Sequence, residues 1–184
     1  MSHSEIKKTW NELLNSEEPL ILPVAHDALS ARLIEQAGFK AYSIGGFPLV
    51  GSRYGLPDLG LVGFSEMRDG IRDIMNATKL PVLLDADDGY GDSKNVTRTV
   101  RTYESFGATA LFIEDQVSPK RCGHMVGKSV IDAETMVRKI HAAVEAKTNP
   151  KMRRRNDLWF HDNCPKCDDY QKIVEEQLEL GLSL

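Results

Sequence analysis

The chain has 184 residues, of which 41% are hydrophobic and 27% are charged, and its formal net charge is −4. This length and composition are typical of one globular domain with a buried core. The mildly negative charge provides no basic footprint for nucleic acid or for an anionic membrane. No apolar run approaches the about 20 residues of a membrane span. The three cysteines do not form a disulfide framework, which fits a reducing compartment, so we expect a cytoplasmic protein.

Strand-like and helix-like segments alternate along the chain, after an N-terminal stretch around Trp10 that resembles a short amphipathic helix. Helices are predicted where apolar residues recur at helical spacing, as Leu29, Leu33 and Ile34 do on one face before Gly38 ends their helix. The predicted strand and helix pairs are 20–24 with 28–37, 41–44 with 65–78, 81–86 with 95–106, and 108–113 with 133–147. This (βα)₄ order predicts an α/β protein with a parallel sheet.

The pattern changes beyond Pro150, where no fifth strand is predicted. Residues 151–184 form a divergent tail with one candidate helix at 170–180. Its Cys164 and Cys167, with His161 nearby, are open to three interpretations: an unstructured or loosely docked tail, a zinc site one ligand short of four, or a redox dithiol. Because four βα units do not close an eight-stranded barrel, either the sheet stays open or the chain is half of a larger fold.

Two of the predicted strands end in acidic residues. The run 81–86 leads into Asp85 and Asp87, and the run 108–113 leads into Glu114. The carboxyl ends of parallel strands meet at one edge of a sheet, and carboxylate oxygens are ligands that suit Mg²⁺ or Mn²⁺. The alternative is that these acids merely begin polar loops. Two such strands, together with a third acidic loop at Asp58, favour the metal site.

Two glycine-containing loops lie where the predicted strands end. Gly45 and Gly46 follow the second strand and offer backbone N–H groups that an anionic carboxylate can approach without hindrance from a Cβ atom. A Gly-Gly pair alone is weak evidence, because most such pairs are turns. The segment 55–60 is predicted to be a rigid turn that presents Asp58.

A cysteine lies among cationic residues in the loop after the fourth predicted strand. Cys122 follows Lys120 and Arg121 and precedes His124 by two residues. Cationic neighbours stabilise a thiolate, so Cys122 is a candidate proton donor or acceptor. The alternative interpretation, a small loop residue with an apolar role, is equally compatible with the local sequence.

Three motifs occur in a fixed order along the chain. They are Ser52-Arg53-Tyr54-Gly55-Leu56-Pro57-Asp58-Leu59-Gly60, Asp85-Ala86-Asp87-Asp88-Gly89-Tyr90-Gly91, and Ile113-Glu114-Asp115-Gln116 continuing through Lys120-Arg121-Cys122-Gly123-His124. Together they resemble the isocitrate lyase / phosphoenolpyruvate mutase superfamily, and most of all its short 2-methylisocitrate lyase-like members. The resemblance runs from about residue 20 to residue 150, and the ordered occurrence of all three motifs makes it specific.

The resemblance implies a Mg²⁺-dependent (or Mn²⁺-dependent) enzyme on a TIM barrel. Residues 1–150 would be the N-terminal half of that catalytic domain, apparently truncated after the fourth βα unit, and 151–184 a divergent tail. In the family, the acids that match Asp85, Asp87 and Glu114 hold the metal. The positions implied to contact the substrate are Ser43, Gly45, Gly46, Asp58, Lys120 and Arg121.

The same resemblance implies a catalytic group formed by Cys122, His124 and Asp58. Lyase members use the matching cysteine to protonate the carbanion leaving group, and phosphonate-processing members usually lack it. The expected reaction is therefore cleavage of a C–C bond in a 2-hydroxy di- or tricarboxylate, such as 2-methylisocitrate, to a 2-oxo acid and a dicarboxylate. The alternatives are C–P chemistry of the phosphoenolpyruvate mutase type, oxaloacetate hydrolysis, or an inactive homologue that acts only as a binding or assembly partner.

The sequence departs from the family pattern in two places. Ser43 stands where lyases often have tyrosine, and Gly45 stands where many relatives have serine. Relatives also continue into a fifth strand that carries an arginine, and no apolar strand places Arg153, Arg154 or Arg155 in that role. A sheet that stops at four strands leaves a ladder edge exposed, so self-association into a homo-oligomer is expected.

Overall fold

The computed structural model describes residues 10–108, 110–122, 125–148 and 153–154. Within these residues the core is a parallel sheet in the order β1 (Tyr42–Ile44), β2 (Val82–Asp85), β3 (Ala110–Phe112) and β4 (Arg153–Arg154). The helices are α1 (Trp10–Leu14), α2 (Ala28–Gln36), α3 (Gly46–Tyr54), α4 (Phe64–Ala77), α5 (Ser93–Ser105) and α6 (Ala133–Ala146). The predicted α/β class and parallel order are confirmed. No helix in the described ranges is long and apolar enough to cross a membrane.

Aspartates begin three of the helices. The Asp27 carboxylate accepts a hydrogen bond from the backbone N–H of Ser30 at 2.7 Å and so caps α2. Asp92 caps α5 in the same way, and Asp132 caps α6. These side chains satisfy N–H groups that have no partner within the helix. The three aspartates therefore fix where these helices begin.

The two faces of the sheet pack against different layers. Val82 and Leu84 of β2 are buried in the main core with α4 and α5, while Leu83 packs on the opposite face. On that opposite face α1 supplies Trp10 and Leu13. Successive side chains of a strand point to opposite faces, so Asp85 lies on the α1 side of the sheet, at the carboxyl end of its strand.

The buried face of α2 and the first predicted strand differ from the prediction. Leu29 and Leu33 are 65% and 54% exposed, whereas Ala31 and Ile34 form the buried face of α2. The predicted strand 20–24 is reduced to a parallel bridge between Val24 and Ser43. Pro23 has no N–H to donate to a ladder, which explains the short pairing.

A helix stands where the sequence predicts only a long loop. The nine residues of α3 begin at Gly46 and include Pro48 in the first turn. Glycine and proline have low helix propensity, which hides this helix from pattern analysis, but proline is tolerated in a first turn because its missing N–H has no helical partner there. The consequence is that a helix N-terminus, instead of a turn, faces the end of β2.

The prediction that no strand follows residue 150 is wrong. Arg153 and Arg154 pair in parallel with Ala110 and Leu111 of β3. A strand of two charged residues has none of the apolar alternation by which strands are recognised. The remaining tail predictions, on Arg155, His161, Cys164, Cys167 and the helix at 170–180, lie outside the described residues. The division into 1–150 and 151–184 stays a prediction.

Candidate active site

The acids that end β2 and β3 are joined by backbone hydrogen bonds beyond the sheet. The N–H of Ala86 donates to the Phe112 carbonyl at 3.1 Å, and the N–H of Glu114 donates to the Asp87 carbonyl at 2.7 Å. These bonds extend the pairing of β2 and β3 past their last residues. As a result Asp85, Asp87 and Glu114 lie close enough for the charges of Asp87 and Glu114 to act on Asp85. The sequence predicts this proximity from the strand ends.

The loop 85–91, here called the acidic loop, has an unusual backbone. Asp87 and Tyr90 adopt φ values of 48° and 61°, in the left-handed region that residues with a Cβ rarely enter. The N–H of Asp87 donates to Asp85 Oδ1 at 2.9 Å, and the N–H of Tyr90 donates to Asp88 Oδ1 at 2.7 Å. At Gly89 a Cβ atom would lie 2.4 Å from a side chain of α5, so glycine is required. The loop is held in a strained shape by its own carboxylates.

The first residue of α3 lies directly on the acidic cluster. The N–H of Gly46 donates to Asp85 Oδ2 at 3.1 Å, and the positive end of a helix dipole stabilises such a carboxylate. A Cβ atom at Gly46 would lie 3.3 Å from Asp87 Oδ1, 3.4 Å from Lys120 Nζ and 3.5 Å from Asp85 Oδ2. Three charged atoms therefore surround one position. Gly46 was predicted to offer its N–H to a substrate; here that N–H holds Asp85.

Lys120 is the cation at the centre of this cluster. Its ammonium contacts Asp87 Oδ1 and forms a second ion pair of 2.9 Å with Asp58 Oδ1. All three side chains are about nine-tenths buried. Burial alone lowers the pKa of Lys120, but the charges of Asp87, Asp85 and Glu114 raise it well above its ordinary range. Lys120 therefore stays protonated, and it draws the predicted Asp58 loop to the strand ends.

The carboxylates carry more negative charge than Lys120 neutralises. Burial, followed by the charges of Asp87 and Glu114, raises the pKa of Asp85 to about 7. The pKa of Glu114 is also raised, chiefly by burial. Both pKa values rise because burial and neighbouring negative charges disfavour the ionised form of each carboxyl group. Such a site gains from an additional positive charge.

The donor set fits a divalent cation in its chemistry but not in its present positions. Within the described ranges, no three Asp, Glu, His or Cys side chains stand together as ready metal ligands. The ammonium of Lys120 lies against Asp87 and Asp58, where a cation would compete with it. The side chains that would hold the ion are Asp85, Asp87 and Glu114, whose hard oxygens suit Mg²⁺ or Mn²⁺.

The loop that carries the predicted catalytic cysteine begins at this cluster and then turns to the surface. Cys122 is half-buried with a free thiol, and its carbonyl accepts from the N–H of Met125 at 2.9 Å. Arg121, predicted to bind substrate, is exposed and donates to the Val126 carbonyl at 3.1 Å. His124 lies outside the described residues. The structure thus brings Lys120 to the acids and turns the guanidinium of Arg121 toward its own loop.

Ser43 and Gly45, both predicted to contact substrate, lie at and just beyond β1. The backbone of Ser43 donates to Pro23 and accepts from Ala25, each at 2.9 Å, and its side chain is half-buried. Gly45 is the N-cap of α3, where a Cβ atom would lie 3.3 Å from Pro48. Both residues lie at or near the carboxyl end of β1, close in sequence to Gly46, which contacts the acidic cluster. Their roles in substrate binding stay predictions.

Sequence reasoning missed two residues that support the site. Gln116 donates from Nε2 to Glu114 Oε2 at 3.0 Å, and its Oε1 accepts the N–H of Arg121 at 3.3 Å. Lys139 is buried on α6 and donates to the Asp88 carbonyl at 2.7 Å. The available signal for Lys139 was its place on the inward stripe of α6, three residues after Met136.

A cavity of about 250 Å³ opens beside the cluster. Asp58, Asp87 and Lys120 line its charged end, and Tyr90 links this end to the apolar wall. The ring of Tyr90 packs edge-on against Phe64 with 5.3 Å between the ring centroids, which fixes part of the wall. The apolar lining comprises Val50, Leu59, Leu61, Val62, Phe64 and Met67. The cavity thus combines an apolar wall with a charged end, where the carboxylates of Asp58, Asp87 and Asp88 outnumber the ammonium of Lys120.

The parallel sheet with acids at its strand ends defines an α/β protein of the TIM-barrel type. The phosphoenolpyruvate phosphomutase profile matches residues 11–161, and the chain belongs to this family, within the phosphoenolpyruvate mutase / isocitrate lyase superfamily. It is 45% identical over 139 residues to 2,3-dimethylmalate lyase of Eubacterium barkeri and 40% identical over 141 residues to 2-methylisocitrate lyase of Shewanella oneidensis. The matches cover 76% and 77% of the chain but 48% of each relative. The chain thus spans about half the length of these relatives.

Solved structures show the same relationship. Oxaloacetate acetylhydrolase in complex with 3,3-difluorooxalacetate superposes with a TM-score of 0.76 at 32% identity, over 89% of this chain and 57% of that one. Phosphonopyruvate hydrolase in complex with oxalate and Mg²⁺ gives a TM-score of 0.64 at 32% identity, over 72% and 45% of the two chains. The fold is therefore shared by lyases and hydrolases that differ in reaction.

Proposed function

We propose that the chain is a Mg²⁺- or Mn²⁺-dependent lyase that cleaves a C–C bond in a 2-hydroxy di- or tricarboxylate related to 2-methylisocitrate. The observation that carries this proposal is the convergence of Asp85, Asp87 and Glu114 around the ammonium of Lys120, next to the loop of Cys122. We also expect the protein to be cytoplasmic and to form a homo-oligomer.

In this proposal Asp85, Asp87 and Glu114 hold the cation, and Gln116 orients Glu114 through its 3.0 Å hydrogen bond. The bound ion would polarise the substrate's carboxylate and neighbouring oxygen, which stabilises negative charge as the bond breaks. Lys120 lies within reach of the same space and supplies a second positive charge for a substrate carboxylate. Together these groups would fix the orientation of an anionic substrate before the reaction.

The chemical step requires one base and one acid. A base removes the proton from the 2-hydroxyl group; as the C=O bond of the 2-oxo acid forms, the C–C bond breaks and its electron pair stays on the departing dicarboxylate. We assign the base to Asp58, which lines the cavity beside Lys120. We assign the acid to the Cys122 thiol, which protonates the departing carbanion, with His124 tuning it. All atoms are then accounted for without a further reactant.

The shape of the cavity supports a substrate with an alkyl substituent. Val50, Val62, Phe64 and Met67 line the same cavity as the charged residues. Two similar proteins are named as lyases of 2,3-dimethylmalate and 2-methylisocitrate, both of which carry methyl groups. Contact of a methyl group with an apolar wall makes binding more favourable by about 1–3 kcal/mol, enough to favour such substrates over unsubstituted ones.

The test combines cation binding with a lyase assay on the full chain. Mn²⁺ binding is measured by electron paramagnetic resonance, and release of a 2-oxo acid from 2-methylisocitrate and 2,3-dimethylmalate is followed as its phenylhydrazone. We expect excess chelator to abolish turnover. We expect Asp87→Ala to lower Mn²⁺ affinity by at least about 100-fold, because a ligand to the ion is lost. Glu134→Gln is the matched control, since Glu134 is an exposed acid on α6.

Three outcomes separate the proposal from its alternatives. Turnover that persists in excess chelator contradicts a metal-dependent mechanism. Release of a product only from oxaloacetate or phosphonopyruvate favours the hydrolytic or C–P chemistry named in two similar structures. Mn²⁺ binding that Asp87→Ala abolishes, without turnover of any substrate, favours a chain that serves as a binding or assembly partner.

A further inference from the structure

A buried lysine of α6 reaches the back of the acidic loop. Lys139 is 5% exposed, and its ammonium donates a 2.7 Å hydrogen bond to the backbone carbonyl of Asp88. The same ammonium lies 3.9 Å from the Asp88 carboxylate. The two residues are 51 positions apart in the sequence, so this contact joins α6 to the loop that follows β2.

A buried ammonium is costly unless oxygen atoms surround it. Lysine side chains on surface helices normally extend to water, and Arg138, one residue earlier on α6, does so with 55% of its side chain exposed. Lys139 instead lies on the buried side of α6 with Met136 and Ala146. Its charge is matched by both acceptor groups of Asp88, the carbonyl and the carboxylate.

The carbonyl that Lys139 holds belongs to the peptide in the middle of the strained segment. Asp87 precedes it with φ of 48°, and Gly89 and Tyr90 follow with φ of 81° and 61°. Residues with a Cβ leave the left-handed region unless their surroundings hold them there. A cation that binds the residue 88 carbonyl fixes the plane of the 88–89 peptide and thereby restrains the backbone on both sides.

We propose that Lys139 is a positioning residue that holds the acidic loop in the shape that directs the Asp87 carboxylate at the cation site. The proposal rests on the function proposed above, since it assigns Asp87 to the cation. Asp87 also accepts the N–H of Glu114 through its carbonyl, at 2.7 Å. Relaxation of the loop therefore displaces two proposed ligands at once, although Lys139 touches neither.

The experiment replaces Lys139 in the full chain and measures Mn²⁺ affinity by electron paramagnetic resonance. Lys139→Met keeps the length of the side chain and removes the charge and the donors. We expect Mn²⁺ to bind about 10–100-fold more weakly, the usual effect of removing a group that orients a ligand. Lys139→Arg retains donors and charge and is expected to restore affinity to within a few-fold of the original chain. Arg138→Met, at the neighbouring exposed position, is the matched control and is expected to bind normally.

A second readout is independent of metal. Amide hydrogen exchange at Gly89 and Tyr90, whose N–H groups bond to Ala86 and Asp88, is expected to accelerate in Lys139→Met and not in Arg138→Met. If the original chain does not bind Mn²⁺, the proposed function fails, and this exchange still decides whether Lys139 positions the loop. Unchanged affinity together with unchanged exchange in Lys139→Met would overturn the inference.

The design also covers a variant that does not fold. If circular dichroism shows that Lys139→Met is unfolded, Lys139→Gln is used instead. Glutamine keeps a donor for the Asp88 carbonyl and removes the charge. We expect this variant to bind Mn²⁺ about 10-fold more weakly and to show faster exchange at Tyr90. Affinity and exchange equal to those of the original chain in a folded Lys139→Gln would contradict the positioning role.

Discussion

Two loops meet at the same edge of the sheet and are built in opposite ways. The acidic loop is held by β3, by the N-terminus of α3 and by Lys139 of α6, and its backbone is strained. The loop of Cys122 is anchored at Lys120 and then lies on the surface, with Val126 88% exposed. The comparison teaches that contacts with three other elements hold the charged groups, whereas the loop of the thiol has few such contacts beyond Lys120.

The sharpest test of this division is Cys122→Ser. A serine hydroxyl is a much weaker acid than a thiol, so we expect turnover to fall by about 10²–10⁴-fold, the usual contribution of a positioned acid or base. Mn²⁺ affinity, measured by calorimetry or electron paramagnetic resonance, is expected to stay the same because the acidic loop is independent of the thiol. Equal turnover in the variant would remove Cys122 from the chemistry, and weaker Mn²⁺ binding would show that the two loops are coupled.

Asp85→Asn tests the other side of the comparison, the electrostatic cost of the crowded acids. Burial and the neighbouring charges raise the pKa of Asp85 from 3.8 to about 7. Because the folded chain binds this proton more tightly than the unfolded chain, stability falls as pH rises from about 4 to about 7. Asparagine does not ionise, so the variant escapes this loss.

We expect Asp85→Asn in chelator to be about 2 kcal/mol more stable than the original chain at pH 8, and nearly equal at pH 4. The full shift corresponds to about 4 kcal/mol, and we expect less because Asp85 is only half-buried and Asn accepts fewer hydrogen bonds than a carboxylate. Urea unfolding at the two pH values provides the measurement, with Glu134→Gln as the exposed control. If the stability difference between Asp85→Asn and the original chain is the same at pH 4 and pH 8, the crowding of charge described for this site is contradicted.

The smallest expected effect concerns the surface loop itself. Arg121 donates to the Val126 carbonyl at 3.1 Å, and an exposed hydrogen bond of this kind contributes about 0.5–1 kcal/mol. We expect Arg121→Ala to open the loop more often, so that thermolysin cleaves near Val126 about two- to five-fold faster with an unchanged melting temperature. Arg138→Ala, on the exposed face of α6, is the control. A lower melting temperature would mean that Arg121 supports the core, contrary to the comparison.

The alternating order of strands and helices was predictable wherever an element carries a local signal. Asp132 is a residue type that favours an N-cap and it caps α6, and Gly38 and Gly107 follow α2 and α5 in the left-handed conformation. By contrast α3 and β4 were missed, since Gly46 and Pro48 suppress helix propensity and Arg153–Arg154 lacks any apolar alternation. Local pattern fails where pairing with a neighbour, or a first turn that tolerates proline, decides the structure.

The candidate site was predictable in its acids and not in its supports. Parallel topology alone brings Asp85, Asp87 and Glu114 to one edge, so their convergence followed from the strand ends. The pairing of Lys120 with Asp58 and the contact of Lys139 with Asp88 join segments 62 and 51 residues apart. Contacts at such separations depend on how helices and loops pack on the sheet, and a single sequence carries no direct record of that packing.

The ammonium of Lys120 has a consequence for the order of events at the site. It contacts Asp87, one of the three carboxylates proposed to hold the dication, so an entering ion would compete with Lys120 for that side chain. Once displaced from Asp87, Lys120 would keep Asp58 as its partner at the edge of the cavity. An ammonium that shares one carboxylate instead of two would be more available to an anionic substrate, so ion binding would precede substrate binding.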